Sequence, residues 1–82
     1  MTLFLLEFDR RTQRLAAPPE AFDEGHRDEA SQRRLAAQRR VIREALDRDI
    51  VLLEADSEED LHRTHSSFFL TPEELGEELK TA

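Results

Sequence analysis

The chain has 82 residues, of which 12 are basic, 19 are acidic and none is cysteine. This length fits one small domain, residues 1–82, with a modest hydrophobic core. The formal net charge of -7 disfavours nonspecific binding to nucleic acid or to an anionic membrane as the main activity. The apolar start is too short for a signal peptide or a membrane span, so we expect a cytoplasmic protein. We expect no cofactor.

The first half of the chain predicts two strands and a long helix. LFLLEF (3–8) is a short apolar run, which is typical of a strand. QRLAA (13–17) predicts a weak hairpin partner, because Pro18 follows it and cannot donate a backbone hydrogen bond. Alanine, arginine, glutamine and glutamate then predict a helix from about Asp23 to Arg48.

The second half predicts one strand and two helices. DIVLLE (49–54) has the composition of a strand. Ser57 is a typical N-cap and predicts a helix, and Asp60 stands in the third helical position of an imperfect capping box. Thr71 followed by Pro72 predicts the start of a last helix.

This order of elements predicts the fold. The order is β-β-α-β-α-α, and LFLLEF is expected in the middle of a small antiparallel sheet of about three strands. The long helix would connect the second strand to the third, which gives a split β-α-β arrangement. We expect all helices on one face of this sheet, in an α+β domain.

The strands are apolar on both faces, which predicts association. Side chains alternate along a strand, so Leu3 and Leu5 oppose Phe4 and Leu6. Strands of this kind are usually covered on both sides, whereas the predicted helices cover one face only. A homodimer through the second sheet face is therefore expected. The alternative is a monomer in which the segment from Phe68 to Leu79 covers that face.

The long helix has a wider apolar surface than one packed face requires. At 100° per residue, two neighbouring stripes together span roughly half of its circumference. The first stripe consists of Leu35, Ile42 and Leu46, and the second consists of Ala30, Ala37 and Val41. This width also favours a second contact surface.

The segment DLHRTHSSFF (60–69) contains two histidines that are candidates for metal binding or catalysis. His62 and His65 lie three positions apart, and Glu58 stands one turn before His62, so the three are weak candidates for a metal site. His62 and His65 are also weak candidates for catalysis, but a structural role for His65 at the inner edge of the helix is favoured.

Arg34 is the third weak catalytic candidate. It lies between the two apolar stripes, where an unpaired charge is unfavourable. The favoured interpretation is a structural ion pair, with an acid such as Glu7 or Glu54 across a dimer interface. The alternatives are that the charged end of Arg34 snorkels to the rim of the apolar surface, or that Arg34 binds the carboxylate of a ligand.

The stretch from Ile50 through LLEADSEEDLHRTHSSFF resembles the strand-and-helix half of YCII-related proteins. The resemblance covers less than a quarter of the chain and transfers no functional residue. That family forms dimeric ferredoxin-like sheets, so the resemblance implies a dimer. The leading hypothesis is a non-enzymatic homodimeric interaction or accessory module, whose further protein partner is unknown. The alternative is a dimeric ferredoxin-like ligand-binding or catalytic protein with a pocket near His65, His62 and Arg34.

Overall fold

The structure is a computed structural model that describes residues 1–69. It confirms the α+β class, with a small antiparallel sheet, one long helix and one short helix. The elements are β1 (Thr2–Asp9), β2 (Arg14–Leu15), β3 (Glu20–Phe22), α1 (Arg27–Arg43), β4 (Arg48–Ala55) and α2 (Glu58–Thr64). Short 3-10 helices precede α1 at Glu24–His26 and follow α2 at Ser66–Phe68.

Strand β1 is the centre of the sheet, as predicted. It pairs antiparallel with β4 along its whole length, from Thr2 opposite Ala55 to Asp9 opposite Arg48. Its other edge is shared by β3 near its start and β2 near its end. Because β3 and β4 are both antiparallel to β1, they run parallel to each other. Helix α1 connects them, which is the predicted split β-α-β arrangement.

The partner strand after the first turn differs from the prediction. Of the QRLAA segment, Arg14 and Leu15 form β2, and the N–H of Ala16 also donates to the carbonyl of Glu7. The chain then forms the additional strand β3. Pro18 and Pro19 lie between the two pieces. Proline lacks a backbone N–H group, so a continuous second strand is interrupted there and pairing resumes at Glu20.

Helix α1 ends at Arg43, five residues before the predicted end. Ala45 has a φ of 53°, in the left-handed region, which stops the helix. The N–H of Leu46 donates to the carbonyl of Val41, and the N–H of Ala45 donates to that of Ile42. These two bonds form a Schellman motif, and the chain leaves the helix before β4 begins at Arg48.

The helices lie on opposite faces of the sheet, so the prediction that all of them share one face is wrong. Ala30 of α1 packs with Leu3 and with the partly buried Leu52. On the other face, Leu61 of α2 packs against Phe4. Helix α2 reaches this face because it begins directly after β4 ends at the buried Ala55.

Residues after α2 cover more of the second face. Phe68 and Phe69 pack against the cluster that contains Leu61, and the rings of Phe68 and Phe8 meet edge to face at 5.4 Å. These contacts agree with the first part of the predicted Phe68–Leu79 covering segment. The rest of that segment and the predicted helix at Thr71 lie outside the described residues.

The start of α2 is as predicted. The Ser57 hydroxyl accepts a hydrogen bond from the N–H of Asp60 at 3.1 Å. This bond satisfies a backbone donor that has no partner within the helix. Through residue 69, the structure contains no helix with the length and apolar character needed to cross a membrane.

Candidate functional site

The outer edge of β4 is the main candidate for an interaction surface. Within residues 1–69, β4 pairs with β1 alone, so its other edge has no strand partner. Its apolar residues 50–53 are all half-buried, whereas Leu3, Phe4 and Leu6 of β1 are buried. An eight-residue edge without proline or lysine is favourable for pairing with another strand.

Helix α1 adds apolar side chains beside this edge. Ile42 is 79% exposed and Leu35 is 45% exposed, so the first predicted stripe of α1 is largely accessible. The second stripe packs on the sheet through the buried Ala30. The predicted excess of apolar helix surface is therefore present in the single chain.

A groove joins these two surfaces. It has a volume of about 520 Å³ and lies between the C-terminal half of α1 and the first half of β4. Its lining consists of Gln38, Val41, Ile42, Arg48, Asp49, Ile50, Val51 and Phe68. We call this surface the β4 edge groove.

An ion-pair cluster lies beneath α1, on the face that carries Leu3 and Leu5. Glu7 accepts hydrogen bonds from Arg40 of α1 and from Arg48 of β4, the latter at 2.5 Å. Arg48 Nε also lies 3.4 Å from Asp9 Oδ2. The Glu7 side chain is only 16% exposed, so this cluster connects the helix to both strands in a partly dehydrated position.

The cluster shifts the ionisation of its members. Burial raises the pKa of Glu7, but the hydrogen bonds from Arg48 and Arg40 oppose it, and the net pKa lies below the usual value. The backbone N–H of Arg11 is the main cause of the lowered pKa of Asp9, and Arg48 contributes. The bond to Glu7 is the main cause of the raised pKa of Arg48. Both carboxyl groups are therefore held in the charged form.

A second cleft lies on the other flank of α1. Its volume is about 530 Å³, within the range of small-molecule sites. The floor is apolar and includes Leu5 and Ala37, and the polar lining consists of Glu7, Glu20, Arg33, Arg39, Arg40 and Arg43. Four arginines against two glutamates make this arginine cleft locally basic, although the whole chain is acidic.

The histidine candidates lie on and after α2 and make local contacts. The His62 ring stacks on Phe69 with centroids 3.7 Å apart, and its Nε2 lies 3.6 Å from Glu58 Oε1. His65 is half-buried and is the C-cap residue, whose N–H donates to the carbonyl of Leu61. No group of three or more potential ligands in the described part of the chain is placed to hold a metal ion. A chemical role for these residues stays a prediction.

Arg34 forms no ion pair with Glu7 or Glu54 of its own chain within residues 1–69. Glu7 is bound by Arg40 and Arg48, and Glu54 is bound by Arg27 instead. The Nε of Arg34 is buried without a hydrogen-bond partner among the described residues. An ion pair with a second copy of the chain stays a prediction.

The Glu7 cluster is the feature that sequence reasoning missed. One signal was present, since Glu7 follows Leu3 and Leu5 on the same strand face and is therefore expected against a helix. The sequence does not identify the partners of Glu7, because Arg40 and Arg48 are 33 and 41 positions away. The choice among seven arginines from 27 to 48 depends on where α1 ends.

Comparisons with known proteins assign no family to this chain. No protein-family model, curated protein or solved structure matches it. The resemblance to YCII-related proteins therefore contributes only the expectation of a dimer.

Proposed function

We propose that this chain is a small cytoplasmic, non-enzymatic interaction module that assembles as a homodimer. The observation that carries the proposal is the exposed apolar surface formed by Leu35, Ile42 and the β4 edge groove. Scattered apolar residues are common on protein surfaces, but here they adjoin a strand edge that has no partner within residues 1–69. A partner that covers both would satisfy the strand and remove the apolar side chains from water.

The location differs from the sheet face expected from the sequence. That expectation assumed one uncovered face, but α2 and the following phenylalanines pack there. The exposed apolar surface that is visible within residues 1–69 lies instead at the sheet edge. Association is also useful for a chain of 82 residues, because a small domain buries a limited share of its surface.

The dimer is tested by the mass of the native protein and its dependence on Ile42. Native mass spectrometry of the purified chain should give the mass of two chains. Substitution Ile42→Glu should weaken the dimer by about 100-fold, because a twofold interface loses two buried isoleucines at about 1.5 kcal/mol each. Sedimentation equilibrium measures the change in Kd.

Gln32→Glu is the matched control for this substitution. Gln32 is exposed on the same helix but is turned about 80° away from Ile42, and the added charge is the same. The control should keep the Kd of the natural sequence within a few-fold. A monomeric mass for the unmodified chain would overturn the proposal.

The arginine cleft favours a second candidate function, the binding of a small anionic ligand. Arg40 is engaged by Glu7, but Arg33 lies 3.6 Å from Glu20 and Arg39 forms no ion pair within the described residues. Arginine presents a planar set of donors that suits carboxylate and phosphate groups. This cleft differs from the predicted pocket near His65, His62 and Arg34, because none of these three residues lines it.

Inorganic phosphate is the probe for this second candidate. Titration at constant ionic strength should shift the backbone amide resonances of cleft residues saturably, and Arg39→Gln should weaken the binding by about 10-fold. Arg63→Gln is the control, because Arg63 lies on α2, on the opposite face of the sheet. Equal titration curves for all three proteins would contradict a site in this cleft.

A further inference from the structure

We infer that the dimer forms by antiparallel pairing of β4 with β4 of a second copy, with Val51 on the twofold axis. This inference rests on the proposed homodimer and specifies its interface. Three features of the described residues carry it: the free edge of β4, the self-complementary order of its side chains, and the apolar flank of α1 beside it.

Symmetry limits the possible registers. A twofold axis perpendicular to the sheet brings two copies of β4 together antiparallel and keeps both α1 helices on the same face. Directly opposed residues in an antiparallel pair project from the same face. One residue must therefore lie opposite its own copy, and the register is defined by that residue.

Val51 on the axis gives the best complementarity. Arg48 of each copy then lies opposite Glu54 of the other, and Ile50 lies opposite Leu52, all on the face covered by α1. The symmetry produces two Arg48–Glu54 pairs. Asp49 lies opposite Leu53 in this register. Placing Leu52 on the axis puts Glu54 opposite Ile50 instead and removes both Arg48–Glu54 pairs, so the register with Val51 on the axis is favoured by these ion pairs.

The exposure of Glu54 and Arg48 is compatible with these pairs. Glu54 is 43% exposed, and although Arg27 contacts one of its oxygens, it remains accessible from the edge. Arg48 is 26% exposed and lines the β4 edge groove, so a carboxylate from a second copy can approach it. Opposite charges at directly opposed positions favour one register over its neighbours.

Helix α1 continues the interface above the strands. Arg27 contacts Glu54 at one end of β4, whereas Gln38 and Ile42 line the groove with Arg48 at the other, so α1 runs antiparallel to β4. The two α1 helices are then antiparallel to each other. Their facing residues have the alternating four- and three-residue spacing of a helix-helix seam, namely Ser31, Leu35, Gln38 and Ile42.

Disulfide cross-linking tests the register directly. The chain has no cysteine, so single-cysteine variants report one position each. Val51→Cys should form a covalent dimer in high yield on mild oxidation, because opposed Cα atoms lie about 4.5–5.5 Å apart. Leu52→Cys is the matched control. Its two copies would be separated by more than about 7 Å in this register and should not cross-link.

A mixed experiment supplies a second, independent measurement. Asp49 lies opposite Leu53 of the other copy in the inferred register. An equimolar mixture of Asp49→Cys and Leu53→Cys should therefore give the cross-linked heterodimer, while either variant alone should not. Circular dichroism of the reduced proteins checks that each variant keeps the fold.

The possible results separate this inference from the proposed function. Cross-linking of Leu52→Cys in place of Val51→Cys would overturn the register. A native dimer in which none of these pairs cross-links would overturn the β4 interface and leave the homodimer standing. A monomeric mass for the unmodified chain would overturn both.

Discussion

Replacement of Leu61 by alanine should lower the free energy of unfolding by about 2–5 kcal/mol. Leu61 is fully buried and anchors α2 on the face of the sheet that carries Phe4 and Leu6. Removing its branched side chain loses the transfer free energy and leaves a cavity between α2 and the sheet. Urea denaturation at a fixed protein concentration, followed by circular dichroism, measures the change.

Glu59→Ala is the control for this prediction, since Glu59 is exposed on the same helix. Its effect should stay within about 0.5 kcal/mol, because it removes no buried contact. A loss below about 1 kcal/mol for Leu61→Ala would mean that α2 does not cover this face. The sheet face would then return as the candidate dimer interface.

Replacement of Glu7 by glutamine should cost about 1–3 kcal/mol at neutral pH. The substitution keeps the shape of the side chain but removes the charge that binds Arg40 and Arg48. Both arginines are then left beside a neutral amide in a partly dehydrated position. Urea denaturation of the two proteins at pH 7 measures the difference.

The same substitution should change the dependence of stability on pH. The folded-state pKa of Glu7 is lowered below its ordinary value of 4.5. Its contribution is therefore complete above the unfolded-state pKa and is lost as the pH falls through the lowered folded-state pKa. The difference between the natural chain and Glu7→Gln should shrink steadily below about pH 5.

Asp9 and the exposed Glu59 provide the comparisons for this test. Glu7→Gln should retain some acid sensitivity, because the pKa of Asp9 is also lowered, chiefly by the backbone N–H of Arg11. Glu59→Gln should follow the pH profile of the natural chain. A stability difference for Glu7→Gln that is equal at pH 7 and pH 3 would contradict a charged, paired Glu7.

The Glu7→Gln substitution also bears on the dimer. Arg48 belongs to the Glu7 cluster and lines the β4 edge groove, so the cluster fixes a side chain that the inferred interface uses. Glu7→Gln should therefore be compared at several protein concentrations. The stability of a dimer rises with protein concentration, whereas the stability lost with an intrachain ion pair is the same at every concentration.

Local chemistry determined much of the fold. The apolar runs LFLLEF and DIVLLE predict β1 and β4, because short apolar runs bounded by turn residues are typical of strands. Ser57 predicts the start of α2, because its hydroxyl accepts a hydrogen bond from the N–H of Asp60, three residues later in the chain. The spacing of Leu35 and Ile42 predicted an apolar flank on α1 that a single packed face does not use.

Tertiary structure decided which of these surfaces remain accessible. The position of α2 covers the second sheet face, and the turn at Ala45 ends α1 early enough for Arg48 to join β4 and bind Glu7. Strand β3 forms after the two prolines because its residues pair with an edge of β1. Its three residues have no strong strand propensity of their own. Sequence periodicity indicates which side chains share a face. Which edge of the sheet has no strand partner among the described residues depends on contacts between segments far apart in the chain.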